Sequence, residues 1–155
     1  MGAVPSRLSR ILLLGGATCA AALLGCVRDP TGPAPAQIAG DWTYHEIMTD
    51  NLQQMVCTDT GTYSLVQSGA KFSGRFVQTG HCVSGANHFA NDGHGSVSEG
   101  TISANSIQFK VDSICAYAGL IAQSHTAVNA GRGFCQFDLQ GTHFNFDIIW
   151  DAQRN

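Results

Sequence analysis

Imidazoles gathered near a carboxylate are the usual raw material of a zinc or copper site, and His81, His88 and His94 stand close to Asp92. The stretch that carries them, Gly80 to Gly95, is rich in Gly, Asn and Ser, whereas a metal needs ligands held rigidly. These residues therefore read as solvated loop histidines, and no metal and no cofactor are expected. Six cysteines, Cys19, Cys26, Cys57, Cys82, Cys115 and Cys135, offer a second chemistry. Ser84 sits in C-V-S-G-A, which lacks the first glycine of the G-x-S-x-G turn that presents a catalytic serine. With the cysteines of an exported chain expected in bridges, the sequence predicts a binding protein and not an enzyme.

What positions these residues begins with an export signal. Arg7 and Arg10 precede an uncharged run from Ile11 to Gly25. That run counts 15 residues, short of the roughly 20 that span a bilayer. Residues 1–25 are thus expected to be removed. Of the 8 basic residues two lie in the signal, leaving 6 against 11 acidic ones, a net charge of −5 with His neutral. Such a chain offers no basic face to nucleic acid.

The signal ends in Leu23, Leu24, Gly25 and Cys26, which resembles the lipobox of bacterial lipoproteins. Leu24 departs from the small or β-branched residue more frequent there. The resemblance implies lipidation of Cys26 and a protein held at the cell envelope by its acyl chains, on a membrane without crossing it. Val27, in place of the Asp that retains enteric lipoproteins in the inner membrane, implies the outer membrane. Residues 26–37 hold three of the four prolines, and Ile38 to Asn155 has none. The first stretch reads as an extended tether with a reach of some 30 Å at about 3.1 Å per residue. The second, residues 38–155, suits uninterrupted strands.

In that domain Gly69-Ala70 suits a two-residue type II′ turn. If Ser68 faces Lys71, counting outward sets Tyr63 against Phe76 and Cys57 against Cys82 at a non-hydrogen-bonded position, where a disulfide fits. Tyr63, Leu65, Phe72 and Phe76 then share the cysteines' face, and threonines and serines share the other. A second hairpin turns at Ala104-Asn105, with Ile102 facing Ile107, Gly100 facing Phe109 and Glu99 facing Lys110. A third places Cys115 opposite Cys135, and a fourth, turning near Gln140-Gly141, sets Phe137 against Phe144. With Asp41 to Ile47 these make eight strands in sequence order, expected to close into an all-β, antiparallel up-and-down barrel carrying two disulfides.

Gly40-Asp41-Trp42 at the head of this meander resembles the G-x-W of the lipocalin and avidin (calycin) barrels, in which Trp42 would close the floor. Two Trp, Trp42 and Trp150, are too few for an avidin biotin pocket. The many bulky inward residues predict a largely filled interior. Two functions follow. One is a non-catalytic barrel that binds a small apolar ligand or another envelope component. The other is a protein-binding, inhibitor-like module acting on an envelope hydrolase. Either would use the end where Met48 to Val56 and Gly80 to Gly93 meet the Cys57–Cys82 bridge, with Met55, His81, His88, Phe89 and Asp92 as the candidate contacts and Phe89 as the apolar anchor.

Overall fold

The computed structural model describes residues 34–155. The expected signal peptide, Cys26 and most of the proline-rich stretch lie outside the described residues. Among those described the structure is all β. It consists of β1 (Gly40–Asp50), β2 (Met55–Ser68), β3 (Lys71–Ser84), β4 (Asn87–Ala90), β5 (Gly93–Ser103), β6 (Ser106–Val111), β7 (Cys115–Ile121), β8 (Ala127–Leu139) and β9 (Thr142–Arg154). Every pairing is antiparallel between neighbours, and β1 pairs with both β2 and β9. The result is a closed eight-stranded barrel, with β4 as a short addition beside the outer end of β3.

The β2–β3 hairpin has the register that its turn dictates. Gly69 takes φ 60°, Ser68 faces Lys71, and the count runs without a bulge through Cys57 and Cys82 to Met55 and Ser84. Cys115 faces Cys135, and Phe137 faces Phe144, as the sequence predicts. Both disulfides are formed, with Cα atoms 3.9 Å apart in Cys57–Cys82 and 4.1 Å apart in Cys115–Cys135.

Two expectations are corrected. In the β5–β6 hairpin Ile102 does face Ile107, but a bulge over Glu99 and Gly100 shifts the register. Lys110 therefore faces Ser98 and not Glu99. Glu99 sits at φ 52°, and its side chain still reaches Lys110 Nζ at 2.9 Å. The Gly80 to Gly95 stretch is also no open loop. The β3 strand continues to Ser84, turns at Gly85-Ala86 and returns as β4, pairing Cys82 with Phe89. Both β4 and β5 lie along the same side of β3, separated by Asn91-Asp92.

The interior divides into two halves. At the end holding the β2–β3, β5–β6 and β7–β8 turns, Trp42, Tyr63, Phe72, Phe109 and Trp150 interlock. Tyr63, Phe109 and Trp150 meet edge to face at centroid separations of 5.5 to 6.5 Å. The void left among these rings is about 10 Å³, the size of a single water at most. Gly131 is required here, because a Cβ would fall 2.5 Å from the Trp150 indole. Packing begins at Ala36, and Ile38 is fully buried across this end. Gln67 fastens the segment through bonds to Ala36 O and Ile38 N, and Trp42 Nε1 donates to Ile38 O at 2.7 Å. The expectation of a filled interior holds for this half alone.

Candidate functional site

The opposite half is a cup of about 560 Å³, within the usual range for small-molecule pockets. Alternation along the strands turns Met48, Cys57, Phe76, Cys82, Val111, Cys135 and Phe146 inward, all buried. Met55, Phe137 and Phe144 pack against them nearer the mouth. Phe137, Phe144 and Phe146 stack in a row down one wall, with centroids 5.3 to 6.2 Å apart. Cysteines are the smallest of these side chains. Bridged across adjacent strands, they lie against the wall and leave the centre free.

Two bridges and one buried carboxylate hold the mouth in shape. Asp50, at the end of β1, is completely buried. Its Oδ1 accepts from Leu52 N at 2.8 Å and Gln53 N at 3.0 Å, and its Oδ2 accepts from Asn145 N at 2.8 Å. The turn between β1 and β2 is thereby tied to β9. These bonds to its charged form hold the Asp50 carboxyl below its usual range, against the upward push of burial.

The floor of the cup is polar. Glu46 on β1 and Asp59 on β2 are cross-strand partners that point inward and are 4% and 2% exposed. Tyr117 Oη donates to Glu46 Oε2 at 2.9 Å, and Asn91 Nδ2 donates to Asp59 Oδ2 at 2.7 Å. Gln78 extends the network, donating to Asn91 O at 3.0 Å while lying 3.3 Å from Tyr44 Oη. Gly80 is needed beside it, because the Asp59 carboxylate occupies the space that a Cβ would take. Burial raises the Glu46 carboxyl to about 7 and that of Asp59 to about 6, with each opposed by its hydrogen bond. Burial likewise lifts the Tyr63 and Tyr117 hydroxyls well above their ordinary value. At neutral pH the floor can accept hydrogen bonds or exchange a proton.

Of the residues singled out from sequence, Met55 and Phe89 line the cup. Phe89 lies on β4 opposite Cys82, at the rim, and is 49% exposed. His81 and His88 do not join them. They fall at outward positions of β3 and β4, and both are exposed. Asp92 occupies the break between β4 and β5, where its Oδ1 accepts from Gly80 N at 3.1 Å. Among the described residues no three His, Cys, Asp or Glu side chains are gathered as a metal site would need. Glu46, Asp59, Gln78, Asn91 and Tyr117 were not expected from sequence. The signal for the first two was the period of two itself, which continues inward from Trp42 and Tyr44 to Glu46 and from Tyr63 to Asp59. Against protein-family models, curated proteins and solved structures alike, the chain finds no match.

Proposed function

We propose that this protein is an exported, lipid-anchored binding barrel of lipocalin-like kind, which holds a small apolar molecule in the cup and performs no reaction on it. The observation that carries this reading is the cup itself, about 560 Å³ lined mainly by apolar side chains, in a barrel whose other half is filled. A mouth stiffened by two disulfides and by Asp50 lowers the cost of ordering on binding. The charged n-region, the apolar run and Leu-Leu-Gly-Cys support anchoring through Cys26, with Val27 favouring the outer membrane.

The test is titration with the neutral apolar dye Nile red. The wild-type chain should enhance its fluorescence saturably, and Phe137→Asp, which places a charge on the cup wall, should weaken binding about 10-fold or more while the far-ultraviolet spectrum stays unchanged. Dye binding that ignores this substitution would place the site outside the cup. A second reading rests on the β3–β4 hairpin, whose Asn87–Ala90 strand is exposed throughout. As an inhibitor-like module the protein would dock this hairpin on an envelope hydrolase. Inhibition of such an enzyme, lost in Phe89→Ala and accompanied by no dye binding, would favour that reading.

A further inference from the structure

The cup ends on the buried carboxylate of Glu46, and that of Asp59 is sealed behind it against Gly80. Neither Glu46 nor Asp59 forms an ion pair among the described residues, where the pairs are Lys110–Glu99 and His143–Asp138. Asp59 Oδ1 is sealed from solvent and accepts no hydrogen bond. Glu46 receives one bond, at Oε2, and its other oxygen accepts none from the described residues. An apolar floor of the same shape would be less costly than two unpaired acids. The floor as built suits a ligand that brings the missing positive charge.

We propose that the cup selects small molecules with an apolar body and one protonated amine, the ammonium group binding Glu46 at the floor while the Asp59 carboxylate sealed behind it adds negative charge without touching the ligand. The inference rests on the cup being the binding site. Glu46 lies four positions along β1 from Asp50 at the rim, about 13 Å of strand at ~3.3 Å per residue, so a short aryl-alkyl chain fills the depth. The ammonium supplies the donor that the free Glu46 oxygen lacks, and the sealed Asp59 carboxylate behind it acts through its charge alone. Above the floor the ligand's body meets Phe76, Phe146 and Val111.

No covalent change is involved. The amine arrives protonated, and the two carboxyls release a proton to solvent as far as they hold one. Groups facing the pair are Tyr117 from β7, Tyr44 from β1, Gln78 from β3 and Asn91 from the β4–β5 break. All are neutral donors or acceptors, so none competes for the cation's place. His81 and Asp92 lie nearby and act on Asp59 through their charge.

The experiment is isothermal titration of the full chain in lipid nanodiscs, with empty nanodiscs as blank, against 4-phenylbutylamine, 4-phenylbutan-1-ol and 4-phenylbutyrate. The amine should bind about 10-fold or more tighter than the alcohol, as a charge-assisted bond does over a neutral one, and the carboxylate should bind weakest. Glu46→Gln, which keeps an acceptor for Tyr117, should bring amine and alcohol within about 2-fold of each other. Asp59→Asn should narrow the preference less. Equal binding of amine and alcohol by the wild type would overturn the ammonium inference and leave the cup as an apolar site. A preference for the amine that survives Glu46→Gln would overturn the assignment of the floor. If none of the three binds and Nile red does not bind either, both the inference and the cup reading fail.

Discussion

The two halves of this barrel share the same eight strands and differ only in what the strands turn inward. In the closed half five large aromatic side chains leave a void of about 10 Å³. In the open half cysteines, valine and methionine stand among phenylalanines gathered mostly along one wall, and about 560 Å³ stays open. A wall without a filled centre loses dispersion contacts on its inner side. The cross-links stand where that loss falls: both disulfides lie in the open half, each joining neighbouring strands at the mouth. Packing stabilises one end and covalent ties stabilise the other. A cavity can therefore be maintained without a floppy rim.

One substitution in each half would break this contrast if it were false. Trp150→Ala removes a ring at the centre of the filled half and should cost about 3 to 5 kcal/mol, read by urea unfolding. Phe144→Ala at the cup wall, where one side of the ring already faces open space, should cost less than half as much. Equal costs would mean that the two ends are packed alike. Next in size, replacing both cysteines of either bridge should cost roughly 3 kcal/mol, since the sequence separations of 25 and 20 residues correspond to similar loop-closure entropies. Melting temperatures of the two double variants, checked by peptide mapping of the remaining bridge, would reveal a bridge that contributes nothing.

The smallest effect concerns the floor. Burial raises the Glu46 carboxyl from 4.5 to about 7, so the folded protein keeps a proton that the unfolded chain releases between these values. Stability contributed by the protonated form is complete below about pH 4.5, falls as pH rises and is lost above about 7. Asp59, raised to about 6, acts in the same direction. Asp50, held low, acts oppositely, and its contribution is lost only as the solution becomes more acidic than the ordinary Asp range. Thermal melts should therefore show a maximum near pH 4 to 5 and a decline towards pH 8. Glu46→Gln should flatten the decline and be more stable than the wild type at pH 8, by on the order of 2 to 3 kcal/mol. An unchanged pH profile in that variant would show that Glu46 is solvated in the native protein.

The closed half and the bridges were legible in the sequence, because the tight turn at Gly69-Ala70 leaves only one register and the aromatic residues alternate cleanly from it. The same Ser-Gly-Ala stands at Ser84-Gly85-Ala86, yet the strand after it holds Asn87, His88, Phe89 and Ala90, whose composition suggests a loop. Pairing with β3 overrides that weak local preference. The β5–β6 register was missed because a bulge consumes a residue without altering the hydrophobic pattern on either side of it. The candidate site was the least legible part. Charged residues are normally solvent-facing, so a reading that collects bulky side chains passes over Glu46 and Asp59, although the period of two places them inside. The partners that make their burial tolerable, Tyr117 and Asn91, are distant in sequence and meet them only once the barrel closes.

The pairing of β1 with β9 has a consequence for how the chain reaches this state. Each hairpin from β2 to β9 forms between near neighbours, but Trp42 faces Arg154 and Thr43 bonds to Asn155. The ring is thus shut by residues from opposite ends of the domain, a contact with a large loop-closure cost that is met late and slowly. A chain delivered across a membrane from its amino terminus would hold an incomplete, curved sheet until β9 emerged. Through that interval the aromatic residues of the future core would face water, and chaperone capture or misassociation would compete with closure.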